Sequence, residues 1–226
     1  MLTRLLLCAG AVVALTGSAA ASASAASVVT SRACYLNDGS STTATIAASG
    51  FTPGGALSVF VDGAQVASAT ADASGAVGPG QVKVPALGNT TGEASHTVTV
   101  NDGTNSASAS FSTTRVRGDF SPSSGNPRTL KVSFSAFGFN LIAPSTVYVH
   151  YITPKGKLKK TISLGKAKGA CGHITSTKKR KLFNFTAERG KWILQYDTSR
   201  KYKKGNSKTR YPWATVSVKV SRIFLR

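Results

Sequence analysis

The sequence predicts an all-β chain of two small β-sandwiches in tandem behind a cleaved leader. Three observations carry this. Short runs alternate apolar and polar residues with period two, clusters of Gly, Pro, Asn and Asp break them at roughly 8–12-residue intervals, and no stretch carries a helical period. Charge then divides the chain. Residues 116–226 hold 24 of the 28 Lys and Arg against three acids, Asp119, Glu188 and Asp197, for a net of +21. Residues 1–115 hold four basic residues against five acids, a net of −1. Segments so different read as separate units: a signal peptide over 1–26, a near-neutral sandwich over 27–115 and a strongly basic one over 116–226.

The leader comes first. Thr3 and Arg4 make a minimal basic start, residues 5–15 form an apolar run too short for a membrane span, and the small residues 17–26 offer several A-x-A cleavage sites. Cys8 falls inside the apolar run, and Leu7 stands where a lipoprotein signal has Gly or Ala, so acylation is not expected. The mature chain is expected to start near Ser27, with no transmembrane span. It is secreted, extracellular or associated with a cell envelope, in an oxidising compartment. Two cysteines then remain, Cys34 and Cys171, one in each half.

In the first half, Ala44, Ile46 and Ala48 alternate with Thr43, Thr45 and Ala47, and Leu57, Val59 and Val61 with Ser58 and Phe60. Further runs follow at 65–70, 81–84, 96–100 and 106–113. Asp62-Gly63 is a hairpin signal, while Ala73-Ser74-Gly75 and Asn101-Asp102-Gly103 are turns. Seven short strands at this spacing are what an Ig-type sandwich requires.

The second half repeats the plan with larger side chains. Leu130, Val132 and Phe134 alternate with Lys131, Ser133 and Ser135, and Val147, Val149 and Tyr151 with Tyr148, His150 and Ile152. Thr153-Pro154-Lys155-Gly156 turns the chain into a strand over 158–164; strands over 182–186, 192–197 and 215–220 complete the set. Phe134, Tyr151, Phe183, Phe185, Trp192 and Tyr196 are the expected core. Each buries on the order of 150–250 Å², enough to hold a domain of this size without a metal.

Gly50-Phe51-Thr52-Pro53-Gly54, followed by a Val-rich strand and Asp62-Gly63, resembles the opening of Ig-like repeats of secreted actinobacterial proteins. The resemblance covers residues 28–114. The second half is similar through Ala136-Phe137-Gly138-Phe139 and Gly190-Lys191-Trp192. It implies a tandem Ig-like, envelope or surface-exposed binding module, a family defined by fold more than by activity.

Catalytic chemistry finds little support. No G-x-S-x-G, H-E-x-x-H, P-loop or paired C-x-x-C is present. His150 reads as a solvated or packing residue. Cys171-Gly172-His173 offers a thiolate and an imidazole with no nearby acid to orient them, and two metal ligands where zinc wants four. Neither an enzyme, a cofactor nor a metal site is expected.

The basic runs are the candidate site: Lys157 and Lys159; Lys178, Lys179, Arg180 and Lys181; Arg200, Lys201, Lys203 and Lys204. All fall in turns or on outward strand positions. Solubility alone is served by mixed signs, whereas a field of one sign concentrates polyanions. The expected partner is therefore an anionic cell-envelope polymer or other polyanion. The alternative is a structural or adhesive protein that holds a surface protein on an Ig face. Nucleic acid is a weaker partner, given export and the lack of a helix for the major groove, although Tyr202, Tyr211 and Trp213 among the cations could stack on single strands.

Counting strands from pole to pole puts residues 138–145, 164–181 and 198–211 of the second sandwich, and 37–41, 62–63 and 88–94 of the first, at the junction of the two. Asp38, Asp62 and Glu93 are then expected to face Lys166, Lys168 and residues 200–204. Residues 116–118 serve as a short link, and the two units pack together. Cys34 and Cys171 meet at the same junction, so a disulfide between them is expected, with free thiols as the alternative.

Overall fold

The computed structural model describes residues 25–37, 42–88, 92–141, 144–175, 177–204 and 213–218, the side chains of 213–215 excepted. The leader therefore lies outside the described residues but for its last two, and no helix occurs among those described.

Alternating patterns of the first half become eight strands: β1 (Ser27–Thr30), β2 (Cys34–Leu36), β3 (Thr42–Ser49), β4 (Ala56–Val61), β5 (Ala64–Thr70), β6 (Val77–Val84), β7 (Glu93–Asn101) and β8 (Ser106–Thr114). They form two sheets, β1-β3-β6 and β2-β8-β7-β4-β5. Pairing is antiparallel except for β2, which runs parallel to β8. Ala44, Ile46 and Ala48 pack across the sandwich against Leu57, Val59, Val61, Val98, Val100 and Phe111. The β4–β5 hairpin is closed by Asp62 and Gly63, both at positive φ (51° and 82°), as a two-residue turn matching strand twist requires.

The second half supplies β9 (Arg117–Ser121), β10 (Lys131–Phe137), β11 (Thr146–Ile152), β12 (Leu158–Lys166), β13 (Arg180–Lys181), β14 (Gly190–Asp197) and β15 (Trp213–Val218). Its sheets are β13-β10-β9 and β12-β11-β14-β15. Apart from β2, this is the strand order of the first half over again. Both halves are Ig-type sandwiches whose fourth strand joins the larger sheet. The second core is aromatic: Phe183 stands 5.9 Å from Tyr151 and 5.3 Å from Trp192, ring centre to centre.

Two expectations need correction. Residues 182–186 are not a strand: pairing with β10 stops at Lys181, and Leu182 and Phe183 both turn into the aromatic core instead of continuing a ladder. Only Arg180 and Lys181 pair with β10. Nor are residues 116–118 a link: β9 begins at Arg117, with only Arg115 and Val116 between it and the end of β8. Gly118 lies flat on the Tyr196 ring, where any side chain would clash, and the Tyr196 hydroxyl donates to the Asp119 carbonyl (2.8 Å).

Between β12 and β13, residues 168–173 make a tight hairpin closed by reciprocal bonds between Lys168 and His173 (2.9 and 2.8 Å). Gly172, at φ 75°, lets it dock on Asn140, since a side chain there would strike the Asn140 backbone. Cys171 at its tip is fully buried and bonded to Cys34, with Cα atoms 5.2 Å apart. The expected disulfide is thus formed. Beside it His173 meets Glu93 (3.0 Å), and Gly92 packs on the Phe137 ring.

The bond closes 137 residues, for which the chain-entropy model gives about 5 kcal/mol. Replacing Cys34 and Cys171 together by Ala is expected to cost about 2–5 kcal/mol in a urea titration. An unchanged midpoint would show that the junction is held without it. Gly118→Ala is expected to cost about 1–3 kcal/mol in the same assay by overpacking Tyr196.

Candidate polyanion-binding surface

The basic residues separate into two groups. The first lies along one flank, where β12 and β13 are the edges of opposing sheets. The Arg180 guanidinium spans the two, donating to the Ser163 carbonyl (3.4 Å) with its centre 5.5 Å from the Phe134 ring. Lys159 sits 5.9 Å over Phe185, and Lys160 donates to Asn184 Oδ1 (3.0 Å). Lys157 belongs to the β11–β12 turn, where its N–H bonds Thr153 Oγ1 (3.1 Å). Lys178 and Lys179 precede β13 and are exposed.

This corrects the reading of 178–181 as a turn or outward run: Arg180 turns inward because its strand partner Val132 faces the core. The structure also adds Lys131, which the sequence did not single out. Lys131 and Lys181 are directly opposed, both exposed, and like charges so placed repel. No sequence signal reveals this pair, since it depends on which strands meet.

The second group, Arg200, Lys201, Lys203 and Lys204, is exposed and follows β14. Residues 198–204 fold back over the outer face of their own sheet: Ser199 and Lys203 carbonyls accept from His150 Nε2 (3.1 Å) and Gln195 Nε2 (3.2 Å). Tyr202 packs on His150 at 5.5 Å. Tyr211 and the Trp213 side chain lie outside the described residues.

The carboxylates are engaged elsewhere. Asp119 pairs with Arg117 (2.8 Å), and Asp197 is buried, accepting from the Ser199 N–H (2.9 Å) and Gln195 Nε2 (3.2 Å). In the first sandwich Asp72 accepts the Ser74 hydroxyl and the Ala76 and Ser74 N–H groups, and Asp102 accepts the N–H groups of Asn105, Thr52 and Thr104, which holds both carboxyls below the usual range. Asp62 and Glu93 were expected to face lysines. Instead Asp62 takes His96 (2.6 Å) and the Thr97 N–H (2.9 Å), and Glu93 takes His173. Residues 199–203 are instead bonded back to their own sheet, and His173, on the hairpin that carries Cys171, is the group that reaches Glu93. Asp38 lies outside the described residues. Among the described residues, no ion pair involves any of the ten candidate cations.

One arrangement has the make-up of an acid–imidazole–hydroxyl relay. His96 Nε2 lies 2.9 Å from Thr113 Oγ1, so Asp62, His96 and Thr113 line up as acid, imidazole and hydroxyl. Thr113 is fully buried, so the hydroxyl reaches no substrate; the chain of bonds instead pins the β4–β5 turn to β7 and β8. Cys171 is spent in the disulfide and His173 on Glu93, which removes the thiolate reading.

No family model matches the chain, and no curated protein matches its sequence. Among solved structures it is similar to a four-repeat segment of the extending region of a large adhesion protein, at 15% identity and a TM-score of 0.29, covering 87% of this chain. The chain spans half the length of that segment. It is also similar to bovine butyrophilin, at 10% identity and a TM-score of 0.32, over 86% of this chain and 99% of the other. A third is latent PorU of Porphyromonas gingivalis, at 17% identity and a TM-score of 0.28, over 75% of this chain and 18% of the other. The Ig-type assignment rests on the strand order itself.

Burial alone would raise the Asp62 carboxyl, but bonds from His96 and the Thr97 N–H outweigh it and hold the group below its usual range. Its folded value is the lower one, so the stability it supplies is complete above the unfolded carboxylate value near pH 4 and is lost as pH falls through the folded value. Asp62→Asn is accordingly expected to flatten the fall in urea midpoint between about pH 4 and 2. An identical pH profile in the variant would remove this role.

Proposed function

We propose that this chain is a secreted, non-catalytic surface module of the actinobacterial Ig-like kind, whose basic second sandwich docks on an anionic envelope polymer. The observation that carries the reading is the uncompensated charge: ten candidate cations, none of them in an ion pair among the described residues, on a half of the chain with 24 Lys and Arg against three acids. A polyanion brought to such a surface gains from the summed field and from release of its condensed counterions. Export accords with the disulfide, since such bonds persist in oxidising compartments.

A second reading, adhesion to a protein partner, draws on the first sandwich. There Ser95, Thr97 and Thr99 oppose Ser112, Ser110 and Ser108 across β7 and β8 in an uncharged hydroxyl face. Protein capture on that face would be insensitive to salt.

The test is retention of the mature chain on a phosphate-bearing polyol polymer and on the same polymer without phosphate. The account expects binding only to the former, with a log–log salt slope of about −3 or steeper, which is about a sixty-fold loss of affinity between 50 and 200 mM salt. Equal retention on both polymers, or a flat salt profile, would overturn it.

A further inference from the structure

The outer face of the β12-β11-β14-β15 sheet is covered where an Ig sandwich ordinarily meets solvent. On β11 and β14, Val147, Val149, Tyr151, Trp192, Leu194 and Tyr196 point into the core. His150, Gln195 and Asp197 therefore point outward. Yet they are 0%, 3% and 1% exposed, because residues 198–204 lie across them as a strap.

The strap is fastened mainly by hydrogen bonds, with Tyr202 packed on the His150 ring. His150 Nδ1 accepts from the Thr161 hydroxyl (2.8 Å), leaving Nε2–H to donate to the Ser199 carbonyl. Gln195 Nε2 reaches both Asp197 and the Lys203 carbonyl, Asp197 Oδ1 takes the Ser199 N–H, and Ser199 Oγ donates to the Lys201 carbonyl (2.9 Å). Burial pushes the imidazole below its ordinary range against the pull of Asp197, so it serves as a neutral donor and acceptor. Burying a carboxylate, an imidazole and an amide is costly unless each is hydrogen-bonded, and here most of those bonds fix strap backbone. The strap is thus held in one shape while Arg200, Lys201, Lys203 and Lys204 remain exposed.

The flank is different. Lys159, Lys160 and Arg180 are engaged with Phe185, Asn184, Phe134 and Ser163. Tyr202, the described aromatic nearest the strap cations in sequence, is packed on His150, which commits the ring that would otherwise stack a base.

We infer that residues 198–204 are the principal anion-binding element of the second sandwich. Arg200, Lys201, Lys203 and Lys204 contact a phosphate chain by charge and spacing without reading bases, and His150, Gln195 and Asp197 act as positioning residues beneath them. This rests on the polyanion reading above. A prefixed strap loses less freedom on binding than a loose cationic loop would.

The test uses the full mature chain and two probes matched in phosphate number, inorganic polyphosphate and single-stranded DNA, followed by fluorescence anisotropy across salt. Changing Arg200, Lys201, Lys203 and Lys204 to Gln is expected to reduce the salt slope by about three, at 0.7–0.9 per phosphate contact. Changing Lys178, Lys179 and Lys181 to Gln is expected to reduce it by less than about one. His150→Ala is expected to keep the slope, since no charge is lost, while weakening polyphosphate binding about tenfold at fixed salt. His150→Gln, which retains an N–H donor, restores most of that loss. No salt-dependent binding by the unaltered chain defeats the polyanion reading and this inference together. Binding whose slope survives the strap substitutions defeats the inference alone. DNA bound about tenfold or more tightly than polyphosphate of equal phosphate number would overturn the phosphate-chain assignment in favour of base stacking.

Discussion

The bond between Cys34 and Cys171 ties the head of β2 to the tip of a hairpin inserted between β12 and β13. Because β2 runs beside the end of β8, the bond lands where the chain passes from one sandwich to the other. Two residues separate β8 from β9, so chain and disulfide together define the junction at two points. Glu93–His173 and Phe137 then fill in around them. A part-exposed polar contact of that kind is worth about 1 kcal/mol or less, well below the covalent constraint. The disulfide therefore sets how the basic half is presented, and the polar contacts adjust it.

With the junction made by the disulfide and the His173–Glu93 contact, the cations are left over. Two of the three carboxylates of the second sandwich are committed away from the candidate cations' side chains: Asp119 pairs with Arg117 at the start of β9, and Asp197 fixes the backbone of the turn into the strap. Repulsion among the remaining cations opposes compactness, and Lys131 beside Lys181 is a local instance. Burial of Phe134, Tyr151, Phe183, Trp192 and Tyr196 offsets it, each aromatic being worth several times a surface charge pair. The result is a sandwich with a strong positive field, whose repulsion the proposed polyanion would relieve.

Much of this was readable from the sequence because it is local. Period-two alternation located the central strands of both halves, and Asp62-Gly63 marked its hairpin. Strand counting placed Cys34 and Cys171 at one pole, since antiparallel strands must alternate direction. What escaped depends on distant contacts. Leu182 and Phe183 look like strand residues but follow the aromatic core instead of a ladder. Arg180 looks like part of a solvated run, and only its pairing with Val132 turns it inward. His150 stands at an outward position by parity, and its burial comes from a loop whose Lys-rich composition reads as exposed. That composition is in fact exposed; the backbone beneath it is not free.

Backbone amide shifts of the mature chain, followed during titration with inorganic polyphosphate at low salt, test the central claim most directly. The account predicts perturbations concentrated in the second sandwich, largest over residues 198–204 and across the sheet at His150 and Gln195, and reversed by added salt. Shifts centred on β7 and β8 of the first sandwich, or none anywhere, would contradict it.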